Sequence, residues 1–91
     1  MSDTFNKDPQ EVLDYSFDWS KWLAEDNDTI SSHTMSADPG ITVDSSSHTN
    51  TKATVWLSGG ADDAKYQITN QIVTTLGRTA ERTMTIFVTN K

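Results

Sequence analysis

The chain has 91 residues, no cysteine and a formal net charge of −6. That length predicts one domain around one small core, burying roughly 60–65% of the unfolded surface. The charge argues against nucleic acid and anionic membranes as partners, because both present phosphate, and the missing cysteine removes disulfides and thiolate metal sites.

Met1 to Gln10 is polar and interrupted by Pro9. It reads as an N-terminal arm ahead of a domain over residues 11–91. Phe5 is its one large apolar residue; Phe5 and Pro9 are candidate contacts for a partner, against the plainer reading of Phe5 as an idle exposed side chain. The opening Met1-Ser2-Asp3-Thr4-Phe5-Asn6-Lys7 lacks the apolar run of a signal peptide. No other stretch approaches the length of a membrane span, so a soluble product made in the cytoplasm is expected.

Glu11 to Trp19 alternates, with Leu13, Tyr15, Phe17 and Trp19 on one parity and Asp14, Ser16 and Asp18 on the other. This is the pattern of a half-buried strand with a wet acidic face. Trp22 and Leu23 fall three and four residues after Trp19, which predicts one short helical turn near residues 20–25 behind a Ser20 cap. Trp19, Trp22 and Leu23 then plug one end of the core, the alternative being a ligand-stacking platform. Asp28 to Ala37 predicts a second, less apolar strand. Asp38-Pro39-Gly40 puts Pro and Gly where a type II turn wants them. Ile41-Thr42-Val43 reads as a short strand and Asp44 to Lys52 as a polar loop. Ala53 to Leu57 predicts a strand with Ala53, Val55 and Leu57 inward and Trp56 partly exposed. Ser58-Gly59-Gly60 then turns the chain.

The stretch Asp62 to Val88 predicts an antiparallel hairpin. Tyr66, Ile68 and Ile72 share one parity on the way out, Leu76-Gly77-Arg78 makes the turn, and Met84, Ile86 and Val88 share one parity on the return. Six to seven short strands with turn signals between them and no long helix describe an all-β antiparallel sandwich. Asp62-x-Ala64-x-Tyr66 has the spacing of the tyrosine corner of immunoglobulin-like domains, where the hydroxyl returns to the backbone upstream. The position two residues after that tyrosine, a cysteine in antibody domains, is Ile68. Tyr66, Asp62, Gly77, Trp19 and Ile68 are therefore expected to be structural.

A search for chemistry yields no enzyme. A calcium loop started at Asp26 would need Gly at its sixth position and Glu at its twelfth, where the chain has Ser31 and Ala37. Asp26 and Asp28 are left as a weak alternative to a solvated turn in which Asp28 caps the next strand. His33 and His48 have no metal-ligand spacing, no Gly-x-Ser-x-Gly elbow occurs, and Gly59-Gly60 lacks the Lys and helix of a phosphate loop. Asp14 and Asp18 stand about 13 Å apart along a strand, beyond the span of a glycosidase acid–base pair. Neither a cofactor nor a metal is expected.

Several segments together resemble one family. They are Lys7-Asp8-Pro9-x-Glu11-Val12-Leu13-Asp14-Tyr15-x-x-Asp18-Trp19-Ser20-x-Trp22-Leu23, Asp28-Thr29-Ile30, Thr54-Val55-Trp56-Leu57-Ser58-Gly59-Gly60, and Tyr66-x-Ile68-Thr69-Asn70-x-Ile72-x-Thr74-x-x-Gly77-Arg78-Thr79-x-Glu81-Arg82. The pattern resembles small immunoglobulin-like structural proteins of tailed bacteriophages, of the fiber-tail adaptor type. The resemblance implies a non-enzymatic virion part, made in the host cytoplasm, that joins fiber or neighbouring proteins to the tail in a symmetric oligomer. Trp56 and Phe5 would be its apolar anchors. A capsid decoration protein and a carbohydrate-binding module using Trp19, Trp22 and Trp56 are the alternatives.

Overall fold

The structure, a computed structural model, describes residues 4–90. Seven strands and one helical turn follow the order β1 (Thr4–Lys7), β2 (Leu13–Asp18), α1 (Ser20–Ala24), β3 (Ile30–Ala37), β4 (Ile41–His48), β5 (Lys52–Gly59), β6 (Ala64–Thr74) and β7 (Thr79–Val88). They form two sheets, β1-β7-β6-β3 and β2-β5-β4, packed as an all-β sandwich. Among the described residues no helix is long and apolar enough to cross a membrane.

The final hairpin is the longest ladder, running from Ala64 opposite Val88 to Val73 opposite Thr79. Its inward row carries Ile68, Ile72, Ile86 and Val88, all without solvent exposure, each contributing about 1.5–3 kcal/mol by burial. Against it stand Phe17 of β2 and Val55 and Leu57 of β5, together with Trp19 and Leu23 from the β2–α1 junction. Alternation along β2 and β5 therefore delivers one core face per strand, as the period-two spacing requires. Trp56 points out at 42% exposure while Ala53, Val55 and Leu57 point in.

Three local expectations change. First, of the segment read as an arm, Met1, Ser2 and Asp3 lie outside the described residues, but Thr4–Lys7 is β1. It pairs in parallel with β7, Thr4 opposite Thr85 through Lys7 opposite Val88, so one ladder of the sandwich is not antiparallel. The polar sequence hid it because an edge strand needs backbone partners more than apolar side chains. Second, Asp44–His48 is not loop. β4 continues through a bulge between Val43 and Ser45 and pairs with β5 as far as His48 opposite Ala53. The bulge adds a residue and breaks the parity on which a strand is recognised. Third, Ser20 does not cap α1. Trp19 occupies the N-cap position without a side-chain cap, and Ser20 N–H donates to the Asp18 carboxylate at 2.9 Å. The Ser20 hydroxyl and amide hold the Asp18 carboxyl below its ordinary range.

Candidate functional site

The corner at Tyr66 fixes how the sheets meet. Its hydroxyl accepts the Ala61 N–H at 2.9 Å, five residues upstream, the bond a tyrosine corner makes. The ring also lies under the β3–β4 turn, where a Cβ on Gly40 would stand 2.9 Å from Tyr66 Cε1. Asp62 closes the same end, accepting the Asn90 N–H at 3.0 Å. Gly77 makes the hairpin turn at φ 87°, and Ile68 fills the core position that follows the tyrosine.

At the opposite end, aromatic and charged groups interlock. Trp19 is buried and donates its indole N–H to Asn70 Oδ1 at 2.7 Å. Arg82 covers that ring, its guanidinium carbon 4.2 Å from the centroid, and donates to the Asp18 carbonyl at 2.7 Å. Arg78 covers Trp22 at the same 4.2 Å. Its Nη1 bonds Asp26 at 2.7 Å and its Nε bonds Asp28 Oδ2 at 3.1 Å. Nη2 lies 3.0 Å from that oxygen, near enough for ion pairing but misaligned for a hydrogen bond. Asp28 Oδ1 accepts from Thr29 N–H at 2.9 Å and Leu76 N–H at 3.1 Å. Burial pushes the Asp28 carboxyl up, but these bonds, with those from Thr74 and Arg78, outweigh it and hold it below its ordinary range. Asp28 is thus buried and paired, not a solvated turn residue. Among the described residues no group of three or more His, Asp or Glu side chains could hold a metal ion.

Sequence reasoning missed this clamp because Arg78 and Asp28 are 50 residues apart. It also missed Asn70, although a polar residue on the buried parity between Ile68 and Ile72 signals an internal bond. The three tryptophans do not form one stacking face. Trp19 and Trp22 pack edge-to-face at 5.6 Å beneath arginines, and Trp56 stands alone on the outside of the β2-β5-β4 sheet.

The candidate contacts near the N-terminus are also separated. Phe5 turns inward, its ring 5.4 Å from Tyr15, and stays 37% exposed where the sandwich opens between β1 and β2. Pro9 sits in the turn after β1, within a loop closed by Glu11 N–H on the Asp8 carbonyl at 3.0 Å. Between them Lys7 is fully buried, donating to the Gly59 carbonyl at 2.7 Å and the Asp8 carbonyl at 3.0 Å. Desolvation lowers its pKa, opposed by the charges of Glu11, Asp8 and Asp44.

A polar contact bridges the other open side. The Nδ1 atoms of His33 on β3 and His48 on β4 face each other at 2.5 Å, and His33 Nε2 bonds the Ser46 hydroxyl at 2.9 Å. Burial, then the neighbouring His48, holds the His33 imidazole below its ordinary range.

Among known families, the one described as podophage GP4 fiber-tail adaptor protein gp77 matches residues 7–87. No curated protein matches the chain.

Proposed function

The chain belongs to the podophage GP4 fiber-tail adaptor family, and from that membership we propose that it is a non-enzymatic virion part joining fiber or neighbouring proteins to the tail of a tailed phage. The match over residues 7–87 carries this reading, since it spans β2 to β6 whole and nearly all of β7. A rigid sandwich with short exposed edges suits the role, because it presents fixed surfaces without needing a pocket. Trp56 is the foremost proposed contact. Phe5 and Pro9 are secondary, since Phe5 already packs on Tyr15. Tyr66, Asp62, Gly77, Trp19 and Ile68 hold the scaffold on which those contacts are displayed. Copies act in a symmetric ring or set, in keeping with phage tails as closed assemblies.

Quantitative mass spectrometry of purified phage particles, counting this chain against the portal protein, tests the reading. A fixed ratio matching the tail's symmetry is expected. A count in the hundreds would reassign the chain to shell decoration, and absence from the particle would remove the adaptor reading.

A further inference from the structure

We propose that the outer face of the β2-β5-β4 sheet receives a cationic side chain, arginine foremost, from a protein segment of the tail or fiber. Trp56 is its stacking surface, and Asp14 and Asp44 are its counter-charges. That the occupant is a tail or fiber protein rests on the function proposed above; the cation-binding chemistry does not.

Trp56 lies on the central strand of its sheet, opposite Asp14 of β2 on one side and Ser45 of β4 on the other. Residues so paired have Cβ atoms about 4.5–5.5 Å apart, which puts Asp14 and Trp56 side by side on the same face of the sheet. Ser58, two residues further along the same face, donates its hydroxyl to Asp44 Oδ1 at 2.9 Å. That bond holds a second carboxylate about 7 Å along the strand from Trp56. Asp14 forms no ion pair among the described residues. On the outward positions of its strands Asp14, Asp18 and Asp44 outnumber Lys52. The charges of Lys7 and Arg82 reach Asp44 and Asp18 from other elements. Within a chain of net charge −6, the carboxylate left to attract an outside cation most strongly is therefore Asp14, the one beside Trp56.

Three other aromatics of the described residues, though not the exposed Phe5, show the missing half of this arrangement. Arg82 lies over Trp19 and Arg78 over Trp22, each at 4.2 Å, and Lys65 lies 6.0 Å over Phe87 on the outside of the other sheet. No cation of the described residues covers Trp56. An external guanidinium fits the place better than an ammonium: it is planar, weakly hydrated, stacks on indole and donates to flanking carboxylates at once. A sugar would stack on the same ring and donate hydroxyls to the carboxylates, but being neutral it gains no Coulombic attraction from them, whereas a guanidinium gains both.

Nitrogen-labelled full-length chain, observed by NMR, tests the proposal, with the Trp56 indole signal identified by its loss in Trp56→Phe. The probe is acetyl-(Gly-Arg)3-amide, with acetyl-(Gly-Gln)3-amide and maltohexaose as controls. The arginine peptide is expected to move the Trp56 indole signal saturably. Asp14→Asn and Asp44→Asn should each weaken binding by about threefold to fivefold, as should added salt. An unmoved indole, an equal response to the glutamine peptide, undiminished binding by the Asn variants, or a response to maltohexaose alone would each overturn it, the last in favour of a sugar platform. A chain present in the particle whose Trp56 ignores the peptide sinks the receptor and spares the adaptor. A responsive Trp56 in a chain absent from the particle does the reverse.

Discussion

Single side chains here are tied by bonds whose loss is measurable. In Tyr66→Phe the ring and its packing under Gly40 stay, while the Ala61 N–H loses its acceptor. Such a loss costs about 1 kcal/mol, so urea unfolding should show a lower midpoint with an unchanged slope. An unaltered midpoint would mean that solvent replaces the hydroxyl without cost. The histidine contact predicts a pH effect of definite sign. Facing Nδ1 atoms need one donor and one acceptor, so a second proton sets two donors against each other. With the folded pKa of His33 below the ordinary value near about 6.5, the unfolded chain binds the proton more readily. The contribution of His33 is therefore complete above that ordinary value and is lost as pH falls through the lower folded one. Denaturation followed from pH 7.5 to pH 5 should be steeper for the native chain than for His33→Asn; parallel curves would show that carboxylates alone set the acid response.

Turns and junctions carry the stability of whole elements. Gly40 has φ 108° and Gly77 has φ 87°, so alanine at either meets left-handed backbone strain of about 1–2 kcal/mol. They differ in surroundings. A Cβ at Gly40 meets the Tyr66 ring, whereas nothing lies within 4 Å of one at Gly77. Gly40→Ala should therefore lower the melting temperature more than Gly77→Ala, and equal losses would show that the ring yields freely. The hairpin turn depends on Arg78 for another reason. Arg78→Ala would strip the cation from a buried carboxylate and uncover Trp22. It should destabilise the chain more than Asp26→Asn, which removes only the exposed partner, 56% accessible against 0% for Asp28.

At the scale of the molecule, β1 alters what a truncation means. Removing residues 1–7 takes away the strand beside β7 and the buried Lys7, uncovering Ile86 and Val88. A loss of about 2 kcal/mol or more follows from the apolar area and backbone pairs, read as a lower denaturant midpoint. An undiminished midpoint would show that β1 adds nothing to the fold. Because of that coupling, failed assembly of such a truncation would not separate a contact from a damaged fold. Replacing Trp56 or Asp14, whose side chains lie outside the core, makes the cleaner test of partner binding.

The sequence by itself determined the parts governed by local periodicity. The alternation through Leu13, Tyr15 and Phe17, the parity of Ala53, Val55 and Leu57, and the two arms around Gly77 each specify a strand and its inward face, because the side-chain period of a strand is two. The corner at Tyr66 was legible for the same reason: its partner is only five residues upstream. Tertiary structure alone decided the rest. β1 and the far half of β4 are polar edge segments, stabilised by a neighbour's backbone and by no pattern of their own. The Arg78–Asp28 clamp, the Trp19–Asn70 bond, the His33–His48 contact and the carboxylates around Trp56 join residues that only the pairing of strands brings together. Such contacts depend on which strands lie side by side, and local spacing does not encode that.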